Sequence, residues 1–137
     1  MIKIVLDTNV LMSAIFWAGT PSKILDAWQE RRLKLVISPN ILEEYIRVGE
    51  ILEKKYSSMN LQSLIDRIAI ESELFSPSLL PSSICEDPDD DKFIEAALAG
   101  NCSYIITGDK LLLKVNGYQN LKIITPSDFL KSFLPIT

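Results

Sequence analysis

Short apolar segments alternate with amphipathic segments along this chain. Four apolar runs rich in β-branched side chains predict buried strands at 2–6, 33–37, 103–107 and 121–124. Elsewhere apolar side chains recur every three or four residues, which predicts helices at 10–17, 20–31, 39–45, 51–56, 61–74 and 89–99 and a last one from 125. This alternation predicts an α/β fold with a central parallel sheet and helices on both faces.

The boundaries of several predicted helices are marked in the sequence. Thr20-Pro21, Ser38-Pro39 and Thr125-Pro126 each pair an N-capping hydroxyl with a proline suited to the first helical position. Gly100 is a typical residue just beyond a helix end. No repeat, linker or low-complexity segment divides the sequence, so residues 1–137 are expected to form a single domain.

Composition and charge exclude several kinds of chemistry. The 137 residues include no histidine, which removes Ser-His-Asp and Cys-His catalysis and zincin-type metal sites. Fourteen basic and 18 acidic residues give a net charge of −4, which argues against a protein that simply coats nucleic acid. Neither a leader sequence nor a membrane-spanning run is evident, so a cytoplasmic location without membrane contact is expected.

Four acidic residues are predicted to converge. Asp7 directly follows the first strand, and Asp109 lies just beyond the third. Glu44 lies in the first turns of the helix that follows the second strand, and Asp91 is at the start of another helix. Because ligand sites of such sheets collect beyond the carboxyl ends of the strands, all four carboxylates are candidates for one site.

Clustered carboxylates repel one another, so such a site usually contains a cation. Without histidine its ligands would be oxygens, which favours Mg²⁺ or Mn²⁺. Hydroxyl and amide side chains suitable for orienting those carboxylates or water are Thr8, Asn9, Ser13 and Thr107. Each residue alone is equally explained as a cap, a turn or a solvated face, and the hypothesis depends on their joint placement.

The same residues lie in four ordered motifs. These are IVLDTN (4–9), SPNILEEY (38–45), DPDDDKFIEAALA (87–99) and IITGD (105–109). With them, essentially the whole chain resembles the PIN domain family, a metal-dependent nuclease fold related to the N-terminal domain of PilT. It is most similar to the small toxins of toxin–antitoxin pairs, the VapC-like ribonucleases.

The resemblance implies an Mg²⁺- or Mn²⁺-dependent ribonuclease that forms homodimers and is inhibited by an antitoxin. It implies that Asp7 is the central metal ligand and that Asp91 and Asp109 complete the cation site. Glu44 would hold a second cation or the attacking water. Relatives often carry another acidic residue two positions after the last aspartate, where this chain has Leu111. Asp87, Asp89 or Asp90 could compensate for it.

Two other functions are compatible with such a fold. A receiver domain or an aspartyl-phosphate phosphatase would use Asp7 as a nucleophile, but such phosphatases need an aspartate where this chain has Asn9. A catalytically silent PIN module would bind RNA or protein without cleavage. For RNA binding, Lys92, Lys110 and Lys114 are the basic residues closest to the predicted site.

Overall fold

The chain folds around a five-stranded parallel sheet, seen in a computed structural model that describes residues 1–56, 61–77 and 79–133. The strands are β1 (Lys3–Leu6), β2 (Lys34–Ile37), β3 (Glu73–Leu74), β4 (Tyr104–Ile106) and β5 (Lys122–Ile124). The α-helices are α1 (Thr8–Phe16), α2 (Thr20–Gln29), α3 (Pro39–Glu53), α4 (Leu61–Glu71), α5 (Asp91–Ala99), α6 (Lys110–Leu113) and α7 (Pro126–Phe133). Short 3₁₀ turns cover Pro88–Asp90 and Tyr118–Asn120.

Strand β1 lies at the centre of the sheet, whose order is β3-β2-β1-β4-β5. Ile4 of β1 is paired with Leu35 of β2 on one side and with Tyr104 of β4 on the other. The chain therefore adds strands in opposite directions from β1. The boundary between β1 and β4 is the switch point at which open α/β sheets characteristically form ligand sites.

Both faces of the sheet are covered. Successive strand residues point to opposite faces, and Ile4, Val5 and Leu6 of β1 are all buried. In β4, Ile105 and Ile106 are buried as well. This pattern confirms the predicted α/β fold with a central parallel sheet between layers of helices.

Helix α3 is longer than the sequence predicts. Its apolar pattern is interrupted near Gly49, which suggests two shorter helices. In the structure α3 continues from Pro39 to Glu53, and Gly49 is buried at the contact with α4. A Cβ at this position would lie 3.1 Å from the Leu61 side chain. The absence of a side chain thus allows α4 to approach closely.

Two short elements were not predicted. The helix expected over 61–74 ends at Glu71, and Glu73–Leu74 instead pair with Val36–Ile37 as the edge strand β3. Helix α6 has only four residues. Neither element is long enough to show a hydrophobic period. The single domain expected over residues 1–137 also includes 57–60, 78 and 134–137, which lie outside the described residues.

Candidate active site

Asp7 lies where β1 ends, at the switch point of the sheet. Its backbone N–H donates to the Ile106 carbonyl of β4 at 3.0 Å, which fixes the residue beside the neighbouring strand. Its side chain accepts a hydrogen bond from Thr107 Oγ1 at 2.5 Å, and the residue is only 7% exposed. Burial raises the pKa of Asp7, and the nearby carboxylates of Asp109 and Glu44 raise it further.

Asp109 follows β4 and lies at the same edge of the sheet as Asp7. Its backbone N–H donates to Thr107 Oγ1 at 3.0 Å, and its Oδ1 accepts the Leu111 N–H at 2.9 Å, which caps α6. The Thr107 hydroxyl therefore accepts from Asp109 and donates to Asp7. The structure brings together the two aspartates that strand position alone predicted, with buried Thr107 as the link.

Asp90 is the third carboxylate of this cluster, and the sequence named it only with Asp87 and Asp89 as a residue that could compensate for the missing acidic position. It ends the 3₁₀ turn that precedes α5. Burial raises its pKa to about 6, and the charges of Asp7 and Asp109 contribute to this rise. Its Oδ2 is buried and has no hydrogen-bond partner among the described residues. Such an oxygen is an open position for a cation.

Asp91 has a different environment from the one expected for a metal ligand. Its Oδ1 accepts the backbone N–H groups of Cys85 at 2.9 Å and Ile84 at 3.2 Å. Although burial alone would raise its pKa, hydrogen bonds from Ser83 and from these two residues lower it. Asp91 thus fixes the loop before α5 and lines a pocket that Glu44 also borders, while burial and charges that include those of Asp7 and Asp109 raise the pKa of the preceding residue Asp90.

Glu44 borders the cluster from α3, and its neighbour Glu43 is exposed. The Thr8 hydroxyl donates to Glu44 Oε2, and Lys92 Nζ donates to Oε1 at 2.7 Å. Arg47 lies 3.8 Å from the same oxygen. Next to Glu44, the Tyr45 hydroxyl donates to the Leu6 carbonyl at 2.5 Å, which holds α3 against the end of β1.

An open cleft of about 480 Å³ leads to Asp7 and Asp109. Of the polar residues expected around the site, Asn9 and Ser13 of α1 line this cleft. Thr8 contacts Glu44, and Thr107 contacts Asp7. All four residues therefore lie at the carboxylate cluster or its entrance.

Within residues 1–56, 61–77 and 79–133, no three carboxylate, thiol or imidazole side chains are arranged as a ready-made metal site. Three observations nevertheless fit an oxygen-bound divalent cation: the unpartnered Asp90 oxygen, the buried Asp7 and the mutual repulsion of Asp7, Asp90 and Asp109. Without a cation between them, like charges favour a wider separation. The donor set is suitable for Mg²⁺ or Mn²⁺.

Comparison with known proteins identifies the class. Residues 3–111 match the PIN domain family, and the chain belongs to that family. PIN domains typically bind divalent metals and are generally nucleases. Membership of this family therefore indicates a nucleic-acid substrate.

One similar protein is the uncharacterized protein MJ1680 of Methanocaldococcus jannaschii. It is 34% identical over 145 aligned positions, which cover 96% of this chain and 92% of the relative. In the described part of the chain, no helix combines the length and apolar character needed to span a membrane.

Proposed function

We propose that this chain is a divalent-cation-dependent endoribonuclease. The observation that carries the proposal is the mutual electrostatic influence of Asp7, Asp90 and Asp109 near the β1–β4 switch point, with one Asp90 oxygen buried and without a hydrogen-bond partner among the described residues. In this proposal these three carboxylates hold Mg²⁺ or Mn²⁺. The bound cation would neutralise phosphate charge and make water a better nucleophile.

We assign to Asp90 the metal-ligand role that the family resemblance implied for Asp91. Two backbone N–H groups hold Asp91 Oδ1 in the loop before α5, and no charge of Asp7 or Asp109 is among the main causes that shift its pKa. Burial raises the pKa of Asp90 and both of those charges raise it further, and its buried Oδ2 has no competing partner among the described residues. Asp7 and Asp109 keep the ligand roles implied by the family resemblance.

The surrounding residues support this chemistry by holding the ligands in place. Thr107 fixes one oxygen of Asp7 and leaves the other carboxylate oxygen for the cleft. The Asp109 Oδ1 is held by the start of α6. Because hydrogen bonds from the Thr107 hydroxyl and the Leu111 N–H already hold these carboxylates, little conformational freedom would be lost when a cation binds.

The basic residues available for phosphate binding are fewer than the sequence suggests. Lys92 is 8% exposed and pairs with two carboxylates. Lys114 pairs with Glu86 at 3.3 Å. Lys110, exposed beside Asp109, remains as a candidate RNA contact. We therefore propose that the cation itself provides much of the attraction for RNA near the scissile bond.

The decisive measurement is cleavage of a mixed single-stranded RNA pool with Mn²⁺ or Mg²⁺. Wild type should cleave, EDTA should stop cleavage, and Asp7→Asn should reduce it by at least about a hundredfold. The matched pair Asp90→Asn and Asp91→Asn tests the ligand assignment, since Asp90→Asn should behave like Asp7→Asn and Asp91→Asn should retain most activity.

Asp66→Asn is a suitable control, because Asp66 is exposed on α4 and bonds only with Gln62 among the described residues. RNA binding without cleavage in the presence of Mn²⁺ would instead support the catalytically silent module. A phosphorylated Asp7 after treatment with an acyl phosphate would support the receiver or phosphatase alternative.

We also propose, from the resemblance of the four motifs, that the ribonuclease acts as a homodimeric toxin with a cognate antitoxin. Induced expression in a bacterial host should arrest growth for wild type and not for Asp7→Asn at equal protein levels. Growth arrest by both wild type and Asp7→Asn would show that the toxicity does not depend on RNA cleavage. The absence of arrest by wild type would contradict the toxin role.

A further inference from the structure

Lys92 is a buried lysine inside the acidic cluster. It is the second residue of α5, and its side chain is 9% exposed. Lysine is almost never buried unless its ammonium is paired. Here Nζ donates to Glu44 Oε1 at 2.7 Å and to Asp89 Oδ2 at 2.8 Å. The ammonium is thus a permanent positive charge fixed between α3 and the acidic turn before α5.

Both oxygens of Glu44 already accept hydrogen bonds from described residues. Its Oε1 accepts from Lys92, its Oε2 accepts from the Thr8 hydroxyl, and Arg47 lies near Oε1. A divalent cation bound at Glu44 would compete with these donors and lie beside an ammonium of like charge. Both effects oppose binding at Glu44.

Lys92 is held by two ion pairs. Its Nζ lies 2.7 Å from Glu44 Oε1 and 2.8 Å from Asp89 Oδ2. The Glu44 side chain is only 13% exposed, so its contact with the ammonium is largely shielded from solvent and salt. Lys92, Glu44 and Asp89 therefore form one ion-paired unit.

We propose that the Lys92 ammonium takes the place of a second metal ion at Glu44, so that the protein binds a single divalent cation at Asp7, Asp90 and Asp109. This inference rests on the proposed metal-dependent function and goes beyond it. Lys92 is then a positioning residue: it holds Glu44, and through Glu44 the Thr8 hydroxyl, at the edge of the cation site.

Metal stoichiometry tests the inference without reference to activity. Titration with Mn²⁺, followed by calorimetry and by electron paramagnetic resonance of the free ion, should give one bound Mn²⁺ per wild-type chain. Lys92→Met keeps the length of the side chain and removes its charge, and it should bind two. The double variant with Glu44→Gln should return to one, because the second cation needs the Glu44 carboxylate.

Three further variants keep the test informative if Lys92→Met does not fold. Lys92→Arg retains the charge and should bind one Mn²⁺. Glu44→Gln alone should also bind one, whereas Asp90→Asn should lose the high-affinity cation. Two Mn²⁺ on wild type, a loss of the single cation in Glu44→Gln, or one Mn²⁺ on a folded Lys92→Met would each overturn the proposal.

The failure of this inference can be told apart from failure of the proposed function. A wild-type chain that cleaves RNA and binds two Mn²⁺ ions contradicts the role of Lys92 and leaves the nuclease intact. A chain that binds one Mn²⁺ but cleaves no RNA contradicts the nuclease and leaves the stoichiometry intact.

Discussion

At the scale of single residues, Asp90 combines the proposed position of a metal ligand with an unfavourable electrostatic environment. Burial raises the pKa of its carboxyl, and the charges of four other aspartates, Asp7, Asp109, Asp87 and Asp89, raise it further. When no cation is bound, ionisation of Asp90 is therefore less favourable in the folded protein than in the unfolded chain. The negative charge that would bind a cation thus lowers the free energy of unfolding of the metal-free protein.

Asp90→Asn should accordingly make the metal-free protein more stable while abolishing metal-dependent cleavage. The pKa of Asp90 rises from 3.8 to about 6, and after a discount for solvent screening we expect a gain of about 1–2 kcal/mol in unfolding free energy at pH 7. The gain should be largest above pH 6 and disappear as the pH falls below 3.8, where the wild-type carboxyl becomes protonated in both states. Urea denaturation in EDTA across this pH range measures it.

Asp89→Asn provides the control with the opposite sign. The hydrogen bond from Lys92 lowers the pKa of Asp89, so its charged form is favoured by folding. Its replacement should reduce stability at neutral pH, and that loss should fade as the pH falls through the range in which Asp89 becomes protonated. If Asp90→Asn also reduced stability at every pH, the electrostatic description of the cluster would be wrong.

The same residues show what the sequence could and could not predict about the site. Asp7 and Asp109 were identifiable because each follows a recognisable strand, and strand ends of a parallel sheet meet at one edge. The choice between Asp90 and Asp91 depends on where α5 begins. The sequence predicted a helix from Asp89, whereas a 3₁₀ turn covers Pro88–Asp90 and α5 begins at Asp91. Neighbouring helical residues differ by about 100° in direction, so this small difference changes the directions in which the Asp90 and Asp91 side chains point.

At the scale of secondary structure, Gly100 joins helix α5 to the sheet. Its φ is −90°, and the left-handed conformation expected of a glycine after a helix falls instead on Asn101, with φ of 52°. The requirement for glycine is steric. A Cβ here would lie 2.8 Å from Val36 Cγ1 and 3.1 Å from the Phe75 ring. Sequence patterns identified the helix end, but the contact with β2 that requires glycine could not be inferred from them.

Gly100→Ala should therefore destabilise the fold by about 1–3 kcal/mol, the usual effect of overpacking a close contact. Val36 is fully buried, so it has little space in which to move away. Gly108→Ala is the matched control, since a Cβ there meets nothing within 4 Å, and it should change stability by less than about 0.5 kcal/mol. Thermal and urea denaturation of the two variants make the comparison, and equal effects would contradict the steric explanation.

At the scale of the whole molecule, the fold explains how an acidic chain can act on a polyanion. The net charge of −4 opposes RNA binding at long range. The parallel sheet places Asp7 and Asp109 at one edge, where under the proposed function a bound divalent cation would offset most of the charge of the carboxylates. Substrate attraction would then depend on metal occupancy, and the same cation would relieve the repulsion among Asp7, Asp90 and Asp109.

This coupling predicts that Mn²⁺ stabilises the folded protein and that acid removes the effect. At a free concentration of about 100 times its Kd, a single bound ion should raise the unfolding free energy by about 2.7 kcal/mol. Because protons compete for carboxylates whose pKa values are raised, to about 6 for Asp90, the Mn²⁺ effect should decline as the pH falls below 6. Thermal denaturation with Mn²⁺ or EDTA at a series of pH values measures the effect. Asp66→Asn should respond like wild type and Asp7→Asn should not respond. An equal response of Asp7→Asn would place the cation elsewhere on the acidic surface, because loss of the central carboxylate would then have left the binding site intact.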